Sequence, residues 1–374
     1  MPDACKKADA FAHLPCRAKL SKPAFARWRT NLFMPNAEGE VTMSETMEFT
    51  NALALKRGRL YLSASPDSMP AFSAHTRLFM YDESEEPFWT YDDVNWWNVA
   101  LALWREGSGE DQGAAALCAM SQEGDVELLI SEAPDAVYEK IPGAGVFSEG
   151  ARGWGYMNSL RQIGNHLYAC GGAGQVYRRE GPDCWVHMDE GILQAPGVKE
   201  RLLPSDINGP HESAIYFAGC VDAPGLPAFV FFRDGRTWRR LKPPQGAGYV
   251  ARIFVESEAR VWMCGQRGTL LLGNADDGFR NLLPTVDGHH FFTSMAMFEG
   301  RLYLASSLGL FVYDPASHAA GLRAVETHLR PGLQDANVVD ACDGWLWSVG
   351  SKDIARFDGK RWERIHHPDN PPIE

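Results

Sequence analysis

Three features of the amino-acid sequence predict an all-β chain built as a single seven-bladed β-propeller of four-stranded antiparallel blades. The stretch NVVDACDGWLWSVGSKDIARFDGKRWERI, Asn337 to Ile365, reads as four short strands separated by Asp-Gly or Gly-Ser turns: Asn337–Cys342, Trp345–Val349, Lys352–Phe357 and Arg361–Ile365. A large anchor on the second strand of such a unit recurs as Tyr61, Tyr168, Tyr216, Trp262, Tyr303 and Trp347. From Tyr168 onward it does so in steps of 48, 46, 41 and 44 residues, a period that fits one propeller blade. The third and fourth strands repeat as well, the third as TRLFMYD, GQVYRRE, AFVFFRD, TLLLGN, GLFVYD and DIARFDG.

Taken in order, residues 1–44 precede the repeats as an N-terminal extension, in which AKLSKPAFARWRTNLF predicts a short helix ending near Pro23 and a strand over Ala26–Leu32. That strand is expected to close the ring or to cap a surface, since the last blade already owns four strands. The propeller spans 45–368, with blades starting near Glu48, Asn95, Gly155, Ser205, Tyr249, His290 and Gln334, and 369–374 form a C-terminal tail. The second blade is the weakest copy, AAALCAMSQEGDVELLI, with Leu117 as its anchor. Pro66–His75 and Glu106–Gly113 read as exposed loops. Two residues after each anchor stands a small or slim side chain (Ser63, Cys170, Ala218, Cys264, Ala305, Val349), and fourth strands open with Trp89, Trp185, Trp238, Phe279 and Trp362. Such regularity predicts packing between neighbouring blades.

The final blade, with ACDGWLWSVG followed by RFDG, resembles the propeller repeats of two-component regulator sensors and, more loosely, sialidase-type repeats. The resemblance implies a seven-bladed propeller and no particular activity. The sialidase turn pattern S-x-D-x-G-x-T-W survives only in part, as RDGRTW from Arg233 to Trp238, and no histidine-kinase pattern accompanies the repeats.

The formal net charge of −12 argues against nonspecific nucleic-acid binding, which needs a basic footprint, and suits a basic partner. MPDACKKADAFAHLPCRAKL lacks an apolar core of secretory length, and no run of about 18 apolar residues is present, so a cytoplasmic protein is expected. The eight cysteines show no CxxC or zinc-like spacing. They are expected to be mostly buried thiols.

The first strand of each blade is expected to line the central channel. Ten residues before the anchors stand Asn51, Asn158, Asp206, Arg252, Thr293 and Asn337, joined by Asn98 through local alignment; this is a polar ring. Twelve before stand Phe49, Tyr156, Pro204, Val250, Phe291 and Asp335, with Trp96. Repetition favours hydrogen bonds between neighbouring blades as the role of the polar ring. Members that break the symmetry are the binding candidates: Asp206, Arg252 and Asp335, with Trp96, Trp97, Trp154, Tyr156, Tyr249, His289 and His290 near the same rim. Aromatic residues with an arginine make a binding mouth.

Catalytic and cofactor motifs are poor. The pairs His289-His290 and His366-His367 point to opposite faces of a strand and make no metal site alone. Gly171-Gly172-Ala173-Gly174 lies between strands and reads as a turn, not a phosphate cradle. No cofactor and no metal are expected. The sequence therefore favours a noncatalytic protein-binding propeller, concretely an immunity or inhibitor protein that occludes a basic toxin. The alternative is a propeller hydrolase or lyase acting on a sugar or small polar metabolite, with Asp206, Asp335 or His290 converging in the channel mouth.

Overall fold

The computed structural model describes residues 45–106, 115–131, 133, 135–283, 288–316 and 321–373. The helix and strand expected before Leu32, and most of the loop expected over Glu106–Gly113, lie outside the described residues. The strands form seven sheets, each of four strands consecutive in the chain. The fold is a seven-bladed β-propeller. First strands run Met47–Lys56, Asn98–Arg105, Met157–Ile163, Leu202–His211, Val250–Ser257, Phe292–Phe298 and Val338–Cys342, and number the blades 1 to 7. Among the described residues the one helical turn is Gly172–Gly174, which joins two strands of blade 3, as its glycines predict.

Blade 7 shows how local chemistry sets the pattern. Its strands are Val338–Cys342, Trp345–Val349, Ile354–Phe357 and Trp362–Arg364. Asp343 and Gly344, with φ of 49° and 76°, supply the two left-handed residues that a tight hairpin between right-twisted strands requires. The anchors Tyr61, Tyr168, Tyr216, Trp262, Tyr303 and Trp347 are all buried. The fourth-strand aromatics reach back onto the preceding blade. Trp238 Nε1 donates to the Met188 carbonyl at 2.6 Å, Trp185 Nε1 to Glu139 at 2.9 Å, and Trp89 Nε1 to the His366 carbonyl at 3.0 Å. Phe279 meets Tyr216 edge-on, and Trp362 packs on the blade 6 core.

The described chain falls into two compact units. The first holds blades 3 and 4 whole with most of blades 2 and 5; the second holds blades 6, 7 and 1. Within the first, Ile163, Tyr168, Cys170 and Val176 of blade 3 pack on Ile207, Phe217 and Phe229 of blade 4. Tyr216 and Val230 of blade 4 pack on Val250, Ile253 and Met263 of blade 5. Within the second, blade 6 meets blade 7 through Phe298, Tyr303 and Leu310 against Val339 and Leu346.

Blade 7 meets blade 1 through Trp347, Val349 and Ile354 against Phe49, Leu62 and Tyr81. The residues after the last strand complete this junction. His367 is buried with its ring centroid 4.4 Å from Phe79, 4.5 Å from Trp89 and 5.2 Å from Phe49. Asn370 pairs with Met47 as a strand would, accepting its N–H at 2.8 Å and donating to its carbonyl at 3.1 Å. Residues 369 and 370, which the sequence reading set apart as tail, are thus buried against blade 1.

Cys118, Cys170, Cys220 and Cys264 are buried free thiols, as expected, and Cys342 is a part-buried one. Burial pushes the Cys118 thiol up to about 12. Cys184 departs from the expectation and is disulfide-bonded.

Candidate partner-binding site

Three members of the polar ring, Asn51, Asn158 and Thr293, clasp the next blade. Asn51 Nδ2 donates to the Val99 carbonyl at 3.2 Å, Asn158 Nδ2 to Pro204 at 2.9 Å, and Thr293 Oγ1 to Asn337 at 2.8 Å. Each side chain thereby donates to a backbone carbonyl of the next blade.

Asp206 is the ring member that binds on both sides. Fully buried, it accepts from Ser159 Oγ at 2.6 Å and Arg161 at 3.2 Å on blade 3, and from the Ile253 N–H at 2.9 Å on blade 5. Burial alone would raise its pKa, but the charges of Arg161 and Arg252 and the bonds from Arg161 and Ser159 outweigh it and hold the carboxyl below its usual range. Tyr249, near Ser205, has its phenol pushed up to about 12, chiefly by burial. The structure thus gathers three predicted residues, Asp206, Arg252 and Tyr249, around one buried carboxylate whose oxygens are already engaged.

In the other unit Asp335 accepts from the Ser351 N–H at 3.0 Å and its hydroxyl at 2.6 Å. A Cβ on Gly350 would stand 2.1 Å from that carboxylate, so only glycine fits there. His290 stacks on Phe292 and meets Phe311 edge-on at 4.9 Å, whereas His289 is exposed. The Trp96 carbonyl accepts from Thr76 Oγ1 at 2.8 Å, and Trp97 lies 5.2 Å from Phe72.

The remaining predicted residues, Trp154 and Tyr156, sit on a different kind of element. Residues 141–156 form the longest connection between successive blades, from blade 2 to blade 3. Its tip is braced from beneath. Glu123, in the hairpin turn between the second and third strands of blade 2, accepts the backbone N–H groups of Val146, Phe147 and Ser148, each at 2.9 Å, on a single carboxylate oxygen. Gly145, at φ +87°, has no room for a side chain beside that carboxylate. Ser148 Oγ donates to the Ala144 carbonyl at 2.8 Å, and the loop returns through a bridge between Gly145 and Gly155. The result holds Phe147 out at 82% exposure, with Tyr156 at 6.4 Å and Arg152 over Trp154 at 6.0 Å.

Sequence reasoning missed Phe147 and Glu123, because a search for positions that repeat between blades passes over a connection that only one blade pair owns. The signal was present as an aromatic residue inside the glycine-rich PGAGVFSEGARGWG. Among the described residues, no cluster of three or more His, Cys, Asp or Glu side chains is arranged to hold a metal ion, and no helix is long and apolar enough to cross a membrane.

This geometry defines a propeller with a structured loop lip, and solved propellers superpose on it. The extracellular domain of the putative hybrid two component system BT4673 from B. thetaiotaomicron matches with TM-score 0.55 at 13% identity, over 88% of this chain and 39% of that one. The WD40 repeats of RRP9 match with TM-score 0.55 at 10% identity, over 81% of this chain and 88% of that one. YCF48 bound to D1 peptide matches with TM-score 0.54 at 11% identity, over 90% and 96%. At such identities the likeness establishes the fold alone. No protein-family profile matches the chain. In sequence, the chain is 30% identical over 219 residues to the immune protein Tsi7 of Pseudomonas aeruginosa PAO1. That stretch covers 57% of this chain and 65% of Tsi7, just under two thirds of the relative's length.

Proposed function

We propose that this protein is an immunity protein, a noncatalytic propeller that binds one specific toxin and occludes it. The observation that carries the reading is the similarity to the immune protein Tsi7. The fold supports it: the buried carboxylate Asp206 spends its oxygens on neighbouring blades, and Asp335 is engaged by Ser351, while aromatic side chains stand exposed on connecting loops. A net charge of −12 favours a basic toxin surface, because complementary potentials speed encounter and reject like-charged competitors.

The test is co-expression with the toxin encoded beside it in a sensitive host, scored as survival, together with a direct binding measurement between the purified proteins. Survival and a one-to-one complex are expected. Neither protection nor binding against any neighbouring toxin would sink the reading.

A further inference from the structure

We infer that Phe147 is the anchor of the toxin interface: one aromatic ring, held out on a carboxylate-braced loop, that enters an apolar pocket of the partner. The inference rests on the immunity reading and names the surface that serves it.

Exposure alone does not carry the argument, since single apolar residues are common on protein surfaces. The brace does. Phe147 is the most exposed large hydrophobic side chain among the described residues, at 82%, and leaving a Phe in water forgoes the free energy that burial would return. Yet the chain orders the backbone beneath it with three N–H groups on one Glu123 oxygen and a glycine at positive φ. Fixing a backbone residue costs conformational entropy. Among the described residues nothing covers the ring in return, so the return lies in a complex, where an ordered anchor spares the entropy of ordering on binding.

The surroundings match an interface centre. Tyr156 stands beside the ring, and Trp154 lies under the exposed Arg152; Tyr, Trp and Arg are the residues that dominate binding energy. Other exposed aromatic side chains have a neighbour as Phe147 has Tyr156: Phe72 rests on Trp97, Phe88 meets Tyr81, and the Tyr138 hydroxyl donates to Glu127. The carboxylate brace and the greater exposure set Phe147 apart. The occupant is therefore a folded toxin domain with a ring-sized apolar pocket, rimmed by carboxylate or carbonyl acceptors that take Arg152. The protein's acidic charge steers association, and the anchor sets how long the complex lasts.

The experiment measures association and dissociation rates between the full-length protein and the neighbouring toxin, carried as an inactive variant, at low and high salt. Phe147→Ala is expected to raise Kd about thirtyfold or more, mainly through dissociation and at both salt concentrations. Phe88→Ala is expected to leave it unchanged. Glu123 is a positioning residue: Glu123→Ala is expected to slow association and speed amide hydrogen exchange at Val146–Ser148, and Glu123→Gln, which keeps an acceptor oxygen, to restore most of both.

Failure of the wild-type protein to bind overturns the immunity reading and the anchor with it. Wild-type binding with Phe147→Ala within about threefold, a difference of well under 1.4 kcal/mol, overturns the anchor alone. A self-associating wild type that Phe147→Ala makes monomeric also overturns it, because the ring's occupant would then be a second copy. Unchanged exchange in Glu123→Ala removes the brace.

Discussion

Between blades 3 and 4 the chain runs on without a break, and every polar tie among the described residues comes from the blades and the linker that joins them. Asp206 takes Ser159 and Arg161, Glu212 takes His166 and Arg178, and Trp238 donates to the Met188 carbonyl. Between blades 7 and 1 the two ends of the propeller sequence meet with no covalent continuity, and the junction carries several ties at once. Asp340 accepts the Ala54 N–H at 2.9 Å, and Phe49 donates to the Ser351 carbonyl at 2.9 Å. Arg356 binds Glu83 at 2.6 Å and Glu363 at 2.9 Å with its guanidinium over Trp345 and Trp347. His367 fills an aromatic cage, and Asn370 completes the edge of the first strand. A linker holds two blades at high effective concentration; where it is missing, side chains from the segment after the last strand do the holding.

The sharpest way to break that comparison is removal of residues 366–374. This takes a buried ring from a cage and strips partners from Met47 and Trp89, so a loss of about 5 kcal/mol or more is expected by denaturant unfolding. A change of less than 1.4 kcal/mol, about tenfold in the folding equilibrium, would mean the tail only decorates the junction. Next comes Asp206→Ala, which leaves Arg161 and the Ile253 N–H without their acceptor. The Arg161 side chain is 27% exposed and can hydrate, so the expected cost is about 1–3 kcal/mol, that of the buried groups left unsatisfied, and faster exchange is expected in blades 3, 4 and 5 rather than at the chain ends.

Acid separates the two junctions. His367 is pushed down to about 3, by burial first and then by the Arg77 charge, and its Nδ1 accepts the Asp369 N–H at 3.2 Å. Because the folded pKa lies below the ordinary 6.5, the neutral ring's contribution is complete above that value and is lost as pH falls from there toward 3. Between pH 7 and 5 the loss amounts to about 2 kcal/mol. Asp206 is also depressed, but from 3.8, so its junction keeps its contribution until pH falls below that. His367→Phe should flatten the stability profile between pH 7 and 5; a persistent slope would assign it to other groups. The smallest effect on stability is expected for Phe147→Ala, within about 0.5 kcal/mol of wild type, in contrast to the large effect on partner binding proposed for it.

The repeat made the blades legible. Hydrophobic anchors at steps near 45 residues, Asp-Gly hairpins and aromatic openings of the fourth strands are set by local backbone geometry and by packing that recurs in every blade. The polar ring was legible for the same reason. Asn51, Asn158, Asp206 and Thr293 bond to a neighbouring blade, whereas Asn337 bonds to Ser351 of its own blade and the Asn98 side-chain amide meets no partner among the described residues. Residues singled out for breaking the symmetry fared differently. Asp206 breaks it because it serves blades on both sides, which no count along one strand reveals.

The sequence by itself determined seven blades, their anchors and an acidic composition, because period and composition are properties of short segments. Only the tertiary structure decided that Asn370 mimics a strand beside Met47, 323 residues away, and that Glu123 holds Phe147 out toward solvent. Such contacts depend on where distant segments come to lie, and a backbone N–H finds its acceptor by position in space and not by position in the chain.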